Sequence, residues 1–334
     1  MDKVFFYCQN CGNETPKWLG KCPSCNQWNT IVEGLKDNKK TNKLFSISSH
    51  AHEPKPISEI QQNPNVKFPT LDSELDVVLG GGLVEGSVVL LAGEPGIGKS
   101  TLLLQMALLG DRNVLYVSGE EAPAQIKIRA DRVGIINSKC QIYSETSTQK
   151  IIDHCIKNEQ NHDPYKLIII DSIQTLFSDL IQSPIGSVSQ IKQCCAELLN
   201  YAKSYNIPII LIGHITKEGQ IAGPKVLEHM VDVVLHFEGQ KTHLYRILRA
   251  KKNRFGSTAK VGVYEMFEKG LRAVPNPSTI LINNRQNTLS GTAISSTFEG
   301  QKTFLVEVQA LVTSAVYGTP QRTSTGFNIK RLHM

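Results

Sequence analysis

Nine consecutive residues, Gly93-Glu94-Pro95-Gly96-Ile97-Gly98-Lys99-Ser100-Thr101, have the types and spacing to hold a polyphosphate. They fit the pattern G-x-x-x-x-G-K-[ST], in which backbone N–H groups converge on phosphate oxygens. Gly93, Gly96 and Gly98 lack the Cβ that would block that approach. The start of a helix after the loop adds partial positive charge. Lys99 is expected to bridge the β- and γ-phosphates of ATP, and Ser100 to offer its hydroxyl to Mg2+. The flanks agree, because residues 88–92 read as a buried strand and 102–109 as an apolar helix.

Hydrolysis needs carboxylates near that loop. Leu167-Ile168-Ile169-Ile170-Asp171 is an aliphatic strand ending in an acid. The carboxyl end of such a strand faces the nucleotide crevice, so Asp171 is expected to hold Mg2+ through water. An N-cap role at the strand exit is the other reading of Asp171. Glu120 and Glu121 follow the strand 114–118. Glu120 is the expected general base, whereas Glu121 also fits the first turn of a helix, where acids are favoured. His214 closes another strand, and reads either as a γ-phosphate sensor or as a structural histidine.

A second chemistry lies at the N-terminus. Cys8-x-x-Cys11 and Cys22-x-x-Cys25 can bring four thiolates into a tetrahedron around Zn2+. A module of about 30 residues is too small to fold on its own core, so the metal would supply folding energy. Trp18 and Trp28 are expected to pack beside the site. Paired disulfides, which a reducing cytosol disfavours, and a redox thiol pair are the alternatives. Cys140, Cys155, Cys194 and Cys195 are scattered and read as buried thiols.

The elements that position these residues follow from periodicity. Unbroken β-branched runs at 87–92, 114–118, 167–171, 208–213 and 231–237 imply strands covered on both faces. Helix-like segments at 99–109, 123–133 and 189–205 alternate with them, and a strand at 244–250 follows. The pattern predicts an α/β core with a mostly parallel sheet over residues 67–270. Residues 1–30 form the cysteine module, 31–66 a polar, proline-bearing linker, and 271–334 a further strand-rich segment.

The 334 residues carry a net charge of +6 and 40% hydrophobic residues, which suits a globular chain. Residues 241–272 hold nine basic side chains against two acids, a local excess suited to a polyanion. No apolar run approaches the roughly 18 residues that span a bilayer, and the N-terminus has no signal-peptide pattern. A cytoplasmic location and no membrane partner are expected.

Residues 75–105 (LDVVLGGGLVEGSVVLLAGEPGIGKSTLLLQ), 115–121 (LYVSGEE), 167–176 (LIIIDSIQTL), 214–232 and the pentapeptide Lys252-Asn253-Arg254-Phe255-Gly256 follow the cysteine module in order. Together they resemble the RadA (Sms) family of bacterial DNA-repair proteins. The resemblance spans about residues 1–330 and implies a RecA-like ATPase assembled as a hexameric ring. It implies work with RecA recombinase on single-stranded and branched DNA, with translocation and branch migration. By the same resemblance Lys99, Glu120 and Asp171 serve hydrolysis. Lys252 and Arg254 would reach a neighbouring subunit's γ-phosphate, or form a basic turn that meets DNA. Loops 179–189 and 216–228 are the expected DNA-facing segments, with Lys217 and Lys225 as phosphate contacts, or else they are solvated loops. The segment 271–334 resembles the opening of a Lon-protease-like α+β domain, here expected to be truncated. A nucleotide-regulated oligomeric switch without motor activity, like clock-type relatives of RecA, is the competing function.

Overall fold

The computed structural model describes residues 3–8, 13–24, 26–36, 56, 67–134, 137–160, 163–214, 225–239, 244–282, 290–314, 318 and 321–332. The chain divides into two units, Met1–Pro275 with Gly300–Lys302, and Asn276–Glu299 with Thr303–Met334.

The first unit opens with a three-stranded antiparallel sheet of β1 (Lys3–Cys8), β2 (Glu14–Thr15) and β3 (Ile31–Lys36), with β1 central. β3 pairs with β1 from Cys8↔Ile31 to Lys3↔Lys36, so strand pairing enters the stretch expected as linker. Ile31 drives this, because it is buried with Cys8 and Cys22 in one small cluster.

Next, β4 (Lys67–Phe68) and β5 (Leu83–Val84) form a short antiparallel pair that brackets α1 (Ser73–Leu79). Asp72 caps α1 by accepting the Leu75 N–H at 2.9 Å, and Gly80 ends it at φ 85°. The core then runs β6 (Val88–Gly93), α2 (Lys99–Leu108), β7 (Val114–Ser118), α3 (Pro123–Val133), β8 (Cys140–Ser144), α4 (Thr148–Glu159) and β9 (Leu167–Asp171). It continues through α5 (Val188–Tyr205), β10 (Ile209–His214), α6 (Lys225–Met230), β11 (Val233–Glu238), β12 (Tyr245–Asn253), β13 (Val261–Phe267) and β14 (Gly270–Ala273).

Nine of these strands make one sheet in the order β14-β13-β12-β11-β6-β10-β9-β7-β8. The strands from β11 to β8 are parallel, while β12, β13 and β14 extend one edge as an antiparallel meander. β6 shows why the sheet needs helices on both faces. Val89 and Leu91 join a core with Leu102, Leu103 and Ile126. Val88, Leu90 and Ala92 join the opposite core with Ile151, Ile191 and Leu198. Each buried valine or leucine contributes about 1.5–3 kcal/mol, which is why the run carries no polar residue.

The expected strands and helices are all present, with ends shifted by a few residues. The strand expected at 244–250 extends to Asn253, because its pairing with β11 continues through Asn253↔Val233. Periodicity did not bring out α1, β8, α4 or the β13–β14 hairpin. β8 is an edge strand with partly exposed residues, so its apolar pattern is diluted.

The second unit contains α7 (Ser278–Leu281), β15 (Thr292–Glu299), most of β16 (Lys302–Gln309) and α8 (Ile329–Leu332). Every residue of β15 is exposed. Among the described residues only Pro277, Ser278 and Phe304 are buried there, a small core. No described helix is long and apolar enough to cross a membrane.

Of the scattered cysteines, Cys155, Cys194 and Cys195 are buried, as expected, whereas Cys140 is half-buried because β8 lies at the sheet edge. Burial pushes the first three thiols up to about 12. Iodoacetamide at mildly alkaline pH should therefore leave these three unmodified in the native protein and alkylate them after denaturation, as read by peptide mass spectrometry.

Candidate functional site

β6 ends at Gly93, which is paired with His214 of β10 and Phe237 of β11, so the loop leaves from the middle of the sheet. Gly96 and Gly98 take φ values of 77° and 112°, and Gly98 is the N-cap of α2. No described atom lies within 4 Å of the point a Gly96 Cβ would occupy, so it is the positive φ and not crowding that calls for glycine there. A Cβ on Gly98 would lie 2.8 Å from Met266 Cε, a flexible side-chain end that can shift, so it is the φ of 112° that demands glycine there. Lys99 is 3% exposed and donates to the carbonyls of Gly93 at 2.8 Å and Glu94 at 2.9 Å. Burial lowers its pKa to about 8, against the pull of Asp171, Glu120 and Glu94. A triphosphate in the cradle is an anionic partner that would offset the cost of burying its charge. Ser100 and Thr101 are half-buried at the same helix start. These features fit a nucleotide with its divalent cation.

Adjacent strands β10, β9 and β7 bring three more groups to this side. Asp171 ends β9, is 7% exposed and accepts a 2.7 Å hydrogen bond from the Tyr116 hydroxyl. Tyr116 is buried in mid-β7, and burial raises its pKa well above the ordinary phenol, so the hydroxyl stays a donor. Glu120 follows β7. Its Oε1 accepts from the Ser172 hydroxyl at 2.7 Å and lies 3.4 Å from His214 Nε2. Glu121 instead pairs with Arg129 of α3, and its N–H donates to Ser118 Oγ, which gives it a structural place.

Sequence reasoning missed three residues here. Ser172 and Tyr116 position the two carboxylates. Arg246, buried, donates from Nε to the Ile97 carbonyl at 3.3 Å and so supports the loop from β12. The alternation of β12 held the clue, since Arg246 falls in register with inward-facing Leu248 and Ala250.

The pentapeptide lies elsewhere. Lys252 is within β12 and donates to the carbonyls of Glu228, His229 and Val231 at 2.7, 3.1 and 2.7 Å, capping the end of α6. Arg254, half exposed, pairs with Asp232 at 3.0 Å. Asp232 in turn accepts the N–H of Val88, the first residue of β6. The loop follows the last residue of β6, so the strand separates Arg254 from its own phosphate loop by on the order of 15 Å. Asn253 Nδ2 donates to the Leu79 carbonyl, and Lys67 Nζ bridges the carbonyls of Gly80 and Phe255, which ties the element to the end of α1.

The expected DNA-facing residues are only partly described. Lys217 lies outside the described residues, as does the side chain of Lys225, whose backbone begins α6. That helix replaces the tail of the expected 216–228 loop, because Leu227 is fully buried. The segment 179–189 is pinned by Gln190, whose Nε2 donates to the carbonyls of Ser178, Ile181 and Ser183.

In the first sheet, Cys8 and Cys22 are fully buried. Each makes a matching backbone hydrogen bond to the residue five positions on: Cys8 N–H donates to Asn13 O at 3.0 Å, and Cys22 N–H to Gln27 O at 2.9 Å. Two buried thiols in matching backbone settings fit a tetrahedral zinc site. Cys11 and Cys25 lie outside the described residues. Trp18 and Trp28 are 58% and 69% exposed, contrary to the expected packing, and among the described residues the cluster around the thiols is Phe6, Cys8, Cys22 and Ile31.

A parallel α/β sheet with a glycine-rich loop and lysine at its centre, facing two strand-end carboxylates, defines a RecA-like ATPase. The AAA-domain family matches residues 54–220, and the rubredoxin metal binding domain matches residues 6–33. A KaiC-like protein from Pyrococcus horikoshii superposes with a TM-score of 0.52 at 19% identity, covering 64% of this chain and all of that one. DNA repair protein RadA of Bacillus subtilis is 47% identical over 99% of this chain and 73% of its own length. That of Aquifex aeolicus is 45% identical over the same shares. The chain belongs to the RadA family of DNA-repair ATPases.

Tyr116→Phe keeps the ring and removes one hydrogen bond to a buried carboxylate. It should lower kcat for ATP by about tenfold with KM within about twofold. An unchanged kcat in a steady-state phosphate-release assay would take Tyr116 out of the site.

Proposed function

We propose that this chain is a DNA-stimulated ATP hydrolase that translocates on single-stranded DNA and promotes branch migration in recombinational repair. In this reading it works in the cytoplasm as a homo-hexameric ring alongside RecA recombinase. The observation that carries it is the glycine-rich loop with Lys99 held against its carbonyls and Asp171 and Glu120 at the neighbouring strand ends, in a chain of the RadA family.

The loop amides and Lys99 hold the triphosphate, with residues Gly93 to Thr101 as its binding segment. Glu120 orients the attacking water and accepts its proton, and the Ser172 hydroxyl and His214 fix the carboxylate for that task. Mg2+, when bound, neutralises phosphate charge, and Ser100 with the Tyr116-held Asp171 are its proposed holders. Arg254 stands too far from its own loop, and half of it is exposed, so it acts on the γ-phosphate of a neighbouring subunit. Lys252, bound to three carbonyls, fixes the strand that presents it and is the second cation of that element. This arrangement ties turnover to assembly. Cys8, Cys11, Cys22 and Cys25 are the proposed zinc ligands, and bound zinc supplies folding energy to a module with almost no core. Lys217 and Lys225 remain the proposed DNA phosphate contacts, and 271–334 the opening of a Lon-protease-like domain.

ATP hydrolysis measured with and without single-stranded DNA across a salt series tests the reading. Stimulation that fades with salt is expected. Equal rates with and without DNA would instead support a nucleotide-regulated switch. Lys99→Ala should abolish turnover. Arg254→Ala should cut DNA-stimulated turnover by about 10³-fold while leaving nucleotide binding near normal. Normal hydrolysis by Arg254→Ala would remove its role between subunits.

A further inference from the structure

Trp18 and Trp28 are the two tryptophans of the whole chain, and both stand largely exposed on the cysteine module. They converge on one point. A Cβ on Gly20 would lie 3.8 Å from Trp18 Cη2 and 3.8 Å from Trp28 Cζ3, so the glycine leaves the space between the rings unfilled. Their backbone settings are fixed. Trp18 Nε1 donates to the Ile31 carbonyl at 3.0 Å, Trp28 is bridged to Lys21, and Asn29 N–H donates to the Gly20 carbonyl at 2.8 Å. Indoles held this way leave most of their area exposed, area that a planar partner could bury.

Two cations stand beside them, and the acids Glu14 and Glu33 lie outside the stretch that carries the rings. Lys17 and Lys21 are exposed, Lys21 Nζ lies 5.8 Å from the Trp28 ring centroid, and no Asp or Glu occurs from Thr15 to Val32. Flat aromatic faces rimmed by lysines match a ligand with flat π-faces and a negative chain. Unstacked bases of a single strand have both, whereas a duplex hides its base faces. We propose that Trp18, Trp28, Lys17 and Lys21 form a stacking platform for the bases of single-stranded nucleic acid. The platform is separate from the ATP site and adds a second hold on the strand. It rests on the DNA-directed reading above, but its readout does not depend on turnover.

Because no other tryptophan is present, intrinsic tryptophan fluorescence of the zinc-loaded full chain reports on this surface alone. A short oligothymidylate should quench it saturably, while a duplex of the same length and heparin, a polyanion without bases, should not. Trp28→Ala should weaken binding of a labelled oligothymidylate, read by anisotropy, by about tenfold or more. Trp28→Phe should retain most of the affinity. Both variants should keep wild-type zinc content and DNA-free ATP turnover, which separates loss of the platform from loss of the fold. Tryptophans that stay silent toward oligothymidylate, or respond equally to heparin, would overturn the platform. DNA stimulation of ATP turnover reports separately on the motor. Stimulated turnover with silent tryptophans removes the platform alone, and quenching without stimulation keeps the platform and removes the motor.

Discussion

The backbone turn between β6 and α2 is the feature on which the rest depends. Its amides can converge on an anion only while Gly96 and Gly98 hold left-handed conformations and the strand behind them stays fixed. The sheet supplies that rigidity from both sides, with Val89 and Leu91 in one core and Val88, Leu90 and Ala92 in the other. Arg246 holds the Ile97 carbonyl from β12, and Met266 closes against Gly98 from β13. Even the buried Lys99 is kept in place by two carbonyls of the loop it serves.

Strand direction then sorts the charged groups. Parallel β6, β9, β7 and β10 all deliver their carboxyl ends to one edge, where Asp171, Glu120 and His214 meet the loop. β12 runs the other way, so it carries Arg246 to the loop and Lys252 and Arg254 to the far edge. One antiparallel strand thus links a loop-supporting arginine to a pair of cations facing away from it. Asp232 joins that far edge to the start of β6 through the Val88 amide and the Arg254 guanidinium. A movement of the pentapeptide would act first on the strand that carries the loop, which gives the proposed contact between subunits a physical route to that loop.

Much of this was legible in the sequence, for definite reasons. The phosphate loop and the aliphatic strand ending in Asp171 impose steric and burial demands that few residues meet, so local pattern identifies them. The supporting residues were hidden because their partners are distant in sequence. Tyr116 and Asp171 are 55 residues apart, Arg246 and Ile97 149 apart. Ser172 follows the acid but reads as an ordinary polar residue until Glu120 is seen across from it. The exposure of Trp18 and Trp28 was unreadable as well, since large aromatic residues in a small module suggest packing.

The most direct test of the proposal that a neighbour completes the loop is a subunit-mixing experiment. Lys99→Ala chains retain Arg254 but lack the phosphate-binding lysine, and Arg254→Ala chains have the reverse defect. Each alone should be inactive with single-stranded DNA. Co-assembly of the two should recover partial ATP turnover, because some interfaces pair an intact loop with an intact arginine. A mixture no more active than either variant, in rings shown to contain both chains, would contradict a shared site.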